Sequence, residues 1–365
     1  MRTALICDYL EEQWHSMDLC AEMLFAHWRT DSRFQLDQVR PPFQPRLTWF
    51  PKLGKVAFNS DRLLNRFWDY PNYVKQIAYQ FDAFHVCDHT YAQLVHELPA
   101  NRTGVYCHDI DAFRSLIEPE QEPRPRWYRA MSQRILDGLQ KAAIVFYSTE
   151  TVRQQIEHYQ LVDCDRLIHA PYGISPEFSI ESNEVLPEAI QSPFILHVGS
   201  CIPRKRIDVL LDVFAELSQA HPELQLVKVS GEWTDEQNQQ LDRLNIRAKV
   251  IHLWNLPTSM IAALYRRAEV VLLTSEAEGF GLPLIESLAC GAIAVVSDLP
   301  VFREVAKDAA IYCPVGNISA WVKAIVTVLN NPNQAPAQSR RLEIASQYSW
   351  QKHAEIIRQA YLRLG

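Results

Sequence analysis

Residues 270–291 read VVLLTSEAEGFGLPLIESLACG, and they decide the fold. Four consecutive aliphatic residues, Val270 to Leu273, form the short, unbroken apolar run of a strand buried on both faces. A polar loop follows, in which Gly279 and Gly281 allow backbone to approach a ligand closely. Pro283 suits the first turn of a helix starting near Leu282, and Gly291 suits its end. Strand, glycine loop and helix in that order leave unpaired amides at the helix mouth, where a terminal phosphate would be welcome.

The same alternation extends in both directions. Short apolar runs at 194–198, 225–229, 250–252 and 292–296 alternate with amphipathic segments such as 207–220, whose Val209, Leu210, Val213, Phe214 and Leu217 recur at helical spacing. An earlier set of runs, at 3–7, 83–87, 104–106, 144–147 and 167–170, repeats the scheme. The pattern predicts an α/β protein with two doubly wound, Rossmann-like domains facing across a cleft, and ligands beyond the carboxyl ends of the strands. The segment 179–192, rich in Glu, Ser, Asn and Pro, reads as a linker between domains 1–178 and 193–349.

At 365 residues the chain suits two cores rather than one. With 48% hydrophobic and 22% charged residues it has ample core material, and its net charge of −7 argues against a general nucleic-acid binder. The eight cysteines show no paired spacing, as expected of reduced, buried thiols. The first residues, MRTALICDYLEE, read as a strand rather than a signal peptide, and no stretch approaches a membrane span. These features predict a cytoplasmic protein.

A second loop is rich in cations. The run 194–198 passes into Gly199-Ser200-Cys201-Ile202-Pro203-Arg204-Lys205-Arg206 before the next helix. Either these three cations solvate a surface turn or, with the helix amino terminus, they hold a polyanion. The loop is neither a Walker sequence nor a dinucleotide fingerprint. Glu278 precedes the helix of the first-quoted stretch and Glu286 lies within it, so the two carboxylates suit different hydroxyls: one on a transferred sugar, one on a nucleotide's ribose.

With Glu278-Gly279-Phe280-Gly281-Leu282-Pro283-Leu284-Ile285-Glu286 in view, the chain resembles the retaining glycosyltransferases of family four, which share the GT-B fold and an E-x7-E motif. The resemblance is specific between about residues 194 and 305. It implies transfer of a sugar, a hexose above all, from a UDP-, GDP- or ADP-sugar to a hydroxyl on a saccharide or lipid-linked acceptor. It also implies retention of anomeric configuration, no cofactor and no metal. His108, Arg204, Lys205 and Glu278 then stand as catalytic residues. Gly199, Gly279, Phe280, Gly281, Leu282, Pro283 and Glu286 bind the donor, together with Trp254, Asn255 and Leu256 from a segment that walls the family's nucleobase pocket. Trp254 replaces the usual glycine there, and either stacks on a base or packs in the core.

In the first half the resemblance places His108, which follows the run 104–106, near the transferred sugar, with Asp109 holding the loop. Pro171-Tyr172-Gly173-Ile174 resembles the element closing the family's first domain, with Tyr172 in place of asparagine. The helix from Trp350 to the end resembles the family's last helix, which packs back on that domain. The first loop departs from the pattern, having no glycine pair. Ser16 reads as a helix start, and Trp14 and His15 either line an acceptor pocket or cover apolar surface.

Residues 40–76 interleave Arg40, Arg46, Lys52, Lys55, Arg62, Arg66 and Lys75 with aromatic residues including Phe43, Trp49, Phe50, Phe58 and Trp68. They form either a peripheral membrane contact or a loop folded over the acceptor domain. Two further readings stay open: a non-catalytic nucleotide-sugar sensor of the same fold, and an oxidoreductase, which the missing glycine fingerprint disfavours.

Overall fold

The computed structural model describes residues 1–28, 34–49, 54–181, 184–190 and 193–364, and of His15 only the backbone. Phe50 and Lys52 of the basic, aromatic segment lie outside the described residues. The chain divides into two compact units, one formed by residues 1–173 with the closing helix Trp350–Leu362, the other by Ile174–Ser349. Residues 174–178 thus go with the second unit, and Leu186 and Ile190 of the expected linker pack on that unit's core beside Phe178.

The first unit holds a parallel sheet of β1 (Arg2–Ile6), β2 (Gln35–Val39), β3 (Ala83–Val86), β4 (Thr103–Cys107), β5 (Ile144–Tyr147) and β6 (Leu167–His169), in spatial order β2-β1-β3-β4-β5-β6. Parallel pairing needs a crossover between strands, and the intervening helices supply it while covering both faces. That is why β3, β4 and β5 are buried at every position.

The second unit repeats the plan with β7 (Phe194–Val198), β8 (Gln225–Val229), β9 (Val250–Leu253), β10 (Val270–Leu273), β11 (Ala294–Ser297) and β12 (Ile311–Cys313), ordered β12-β11-β10-β7-β8-β9. Side chains alternate between two cores. Ile195, Leu226 and Leu272 join Leu210, Phe214 and Trp321 on one face, whereas Phe194, Leu196, Val227 and Val271 meet Tyr265 on the other. Each fully buried Val, Leu or Phe among them contributes about 1.5–3 kcal/mol.

Strands β2 and β12 were not foreseen. Both lie at sheet edges, where one side of the strand is not paired and apolar continuity is not required: β2 reads QLDQV and β12 has three residues. The closing helix belongs to the first unit through Tyr361, whose hydroxyl donates to Phe84 O at 2.8 Å and lies 3.1 Å from His85 Nδ1. Among the described residues no helix is long and apolar enough to cross a membrane, and all eight cysteines are free.

Candidate active site

In the second unit, β7 and β10 are neighbours, so the loops that follow them leave the sheet side by side. They are stitched together by backbone: Glu276 N donates to Arg204 O at 2.8 Å, and Thr274 Oγ1 to Lys205 O at 2.9 Å. The two cations of the first loop thereby converge on the first glutamate of the second. Lys205 Nζ lies 2.6 Å from Glu278 Oε1, Arg204 Nη1 lies 3.2 Å from Oε2, and Ser275 Oγ donates to Oε1 at 2.6 Å. Burial pushes the Glu278 carboxyl up, but Lys205 and Arg204 outweigh it and hold the group below its usual range. Arg206 turns aside to Asp208 and Glu276, so two of the three cations serve the cluster.

Three residues later the backbone turns sharply. Gly281 has φ of 92°, and a Cβ there would sit 2.7 Å from the Phe302 ring, so both conformation and space call for glycine. Helix Leu282–Ala289 starts at once, with Pro283 in its first turn and Gly281 as its cap residue. Phe280 is buried against Tyr348, with ring centroids 5.5 Å apart, so its ring anchors the loop. Glu286, one turn into the helix, is buried with Tyr265 Oη 3.3 Å from Oε2, and burial pushes its carboxyl up to about 7. Their surroundings thus shift the two carboxyls in opposite directions, Glu278 down and Glu286 up.

Trp254 follows β9 directly and is 53% exposed, which excludes the core-packing alternative. Its indole stacks on His252, with centroids 4.1 Å apart at 24°, and both border a groove of about 490 Å³ with Trp233, Glu232, Asn238 and Arg247. Asn255, beside it, is exposed with φ of 51°, while Leu256 packs on the core.

In the first unit His108 follows β4 and is buried. Nε2 lies 2.7 Å from Cys87 O and so carries the proton; Nδ1 accepts from the Tyr172 hydroxyl. Burial holds this imidazole below its ordinary range, against the pull of Asp88. Tyr172, which stands in place of the family's asparagine, thus holds His108 in place, and stacks on Tyr106 at 5.1 Å. Asp109 does hold the loop, accepting from Asp111 N at 3.0 Å.

The first loop differs in detail from expectation. Its helix begins at His15, so Ser16 sits inside the first turn, and Met17 N and Asp18 N bond back to Trp14 O. Trp14 covers the Arg66 guanidinium at 5.7 Å, with Tyr91 on another side at 4.1 Å. The side chain of His15 lies outside what the structure describes. Much of the basic segment is paired within the unit: Arg40 with Asp18, Arg46 with Asp69 and Arg66 with Glu12.

Residues 179–345 match the family model "Glycosyl transferases group 1". The O-antigen chain mannosyltransferase B of Escherichia coli is 27% identical over 254 residues, covering 67% of this chain and 66% of that protein. The serotype-specific mannosyltransferase WbdA of E. coli is 24% identical over 278 residues, 72% of this chain but 34% of its own length. Among solved structures, sucrose-phosphate synthase from Thermosynechococcus elongatus superposes with a TM-score of 0.74 at 17% identity, covering 100% of this chain and 99% of that one. Anabaena HepE in complex with UDP and glucose gives 0.74 at 16% identity, covering 98% of both chains. The fold is therefore GT-B, and residues 179–345 are similar to the group 1 glycosyl transferases.

Proposed function

We propose that the protein transfers a hexose from a nucleoside diphosphate sugar to a hydroxyl of a saccharide acceptor, retaining the anomeric configuration and needing no metal. One observation carries the reading: Arg204 and Lys205 meet Glu278 just before the amino terminus of helix Leu282–Ala289. Cleavage of the donor leaves a diphosphate with added negative charge. Two cations and helix amides fixed in advance favour that charge more than they favour the intact donor, which is what lowers a barrier. Glu278, kept ionised by its cations, accepts from hydroxyls of the transferred sugar; Glu286, one turn deeper, takes the ribose.

Retention follows if the acceptor attacks the face the diphosphate leaves, with the leaving phosphate taking the acceptor's proton. His108, which the family resemblance assigns to steadying positive charge on the sugar, is a neutral imidazole with both ring nitrogens engaged by Tyr172 and Cys87. The names of HepE, crystallised with UDP and glucose, and of the E. coli mannosyltransferases support a nucleotide-sugar donor and a saccharide acceptor.

The test is turnover of a panel of UDP-, GDP- and ADP-sugars followed by mass spectrometry, with the anomeric configuration of the product read by NMR. Release of nucleoside diphosphate with a retained linkage is the expected result. Binding without release would make the protein a sensor, and an inverted product would remove the same-face mechanism.

A further inference from the structure

We infer that Lys228 is a positioning residue of the donor site: its enclosed ammonium clamps the loops after β7 and β8 and turns their amides toward the departing diphosphate. The inference rests on the donor-site reading above.

Lys228 lies on β8 with no exposed surface. Such a group is costly to enclose unless every donor finds a partner. Its Nζ donates to Gly199 O at 2.5 Å, to Val229 O at 3.2 Å and to Ser230 O. An ammonium has three donors, and three carbonyls are present. Two of them belong to different loops, so a single charge ties the turn bearing Arg204 and Lys205 to the turn after the neighbouring strand.

The direction of those carbonyls matters. In a trans peptide the N–H points opposite to the C=O. Drawing Gly199 O and Ser230 O inward onto Lys228 therefore turns the amides of Ser200 and Gly231 away from it. The two loops also touch: Gly231, with φ of 73°, approaches so closely that a Cβ would lie 2.6 Å from Cys201 N, and Gln237 Nε2 holds Cys201 O at 3.0 Å. Loss of the ammonium leaves three inward carbonyls facing one another, and the loops can relieve that only by moving.

The ionisable groups around Lys228 sharpen the test. Lys205 repels it, while Cys201 favours its charge; His197, His252 and the Trp233 face, 5.8 Å away, complete the surroundings. Burial holds both imidazoles below their usual range, pushes the Cys201 thiol up and pulls the Lys228 ammonium down to about 8. Deprotonation of Lys228 therefore falls where a nucleoside diphosphate is already fully ionised.

The experiment is calorimetric titration of UDP, GDP and ADP into the wild-type protein, Lys228→Met, Lys228→Arg and Lys205→Ala across pH 7 to 9.5, with thermal melts confirming folding. Wild-type affinity for the preferred nucleotide is expected to fall as pH rises through about 8. Lys228→Met should bind on the order of tenfold more weakly at neutral pH, with a flat profile, and Lys228→Arg should hold its affinity to higher pH. A folded Lys228→Met that binds within about twofold of wild type overturns the inference, and so does a wild-type profile flat across the range, which needs no variant to fold. If the wild-type protein binds none of the three nucleotides, the donor-site reading itself falls, and this inference with it.

Discussion

The Tyr172 hydroxyl donates to Nδ1 of His108, and because Cys87 O takes the proton on Nε2, the imidazole is fixed as one neutral tautomer in one orientation. Tyr172→Phe keeps the ring stack on Tyr106 and removes only the hydroxyl. It should cost about 1–3 kcal/mol of stability by leaving a buried acceptor unpaired. Turnover should fall about tenfold with donor binding unchanged, which steady-state kinetics beside nucleotide titration will resolve. Unchanged turnover would mean that the orientation of His108 is immaterial to the reaction.

Lys205 and Glu278 form the tightest cation–carboxylate contact of the candidate site, at 2.6 Å. Lys205→Ala and Glu278→Ala should each lower turnover on the order of a hundredfold or more while leaving the fold intact. Circular dichroism and turnover measured on the same preparations check both halves, and near-normal rates in both variants would refute the assignment.

Glu286 predicts a pH dependence. Its carboxyl is pushed up to about 7, so it is a full acceptor for hydroxyls only above that pH. Donor kcat/KM should therefore decline as pH drops below about 7. Tyr265 draws the value down, so Tyr265→Phe should move the inflection upward. For stability the sign is opposite: the native state holds the proton between pH 4.5 and about 7 where the unfolded chain does not, so the contribution is full below pH 4.5 and lost as pH rises through about 7. Urea melts of wild type and Glu286→Gln across that range measure it.

Asp61 organises part of the basic, aromatic segment 40–76. Its carboxylate accepts from Arg46 N, Leu47 N, Thr48 N and Thr48 Oγ1 at 2.8 to 2.9 Å. Burial pushes its pKa up, but these bonds outweigh it and hold the value at about 2. The stabilisation is therefore present at neutral pH and lost as pH falls from about 4 through 2. Asp61→Asn should weaken the turn at residues 46–48 by about 1–3 kcal/mol. Equal melting of wild type and variant at pH 7 would show that this turn is held by other contacts.

How far the sequence could be read depended on whether the signal was local. Val270–Leu273 and the loop to Gly291 announced themselves because strand, glycine turn and helix are contiguous, and so did the cationic loop after β7. Lys205 and Glu278, 73 residues apart in sequence, meet because β7 and β10 are adjacent, which no spacing rule shows. Tyr172 is a tyrosine at a turn until the fold brings His108 against it from 64 positions away. Lys228 stands within the run 225–229, and only the fold shows the three carbonyls that its ammonium meets. Trp254 resisted because an aromatic after a strand serves a core or a surface equally well, and only its exposure decides between them.

Tyr361 and Phe84 touch across 277 positions. The second unit, by contrast, is one unbroken stretch from Ile174 to Ser349. During synthesis the later unit can finish packing while the earlier sheet still waits for its closing helix, which leaves the ribosome after residue 350. The half made first matures last, and a truncation just before Trp350 would strip the older half while sparing the younger.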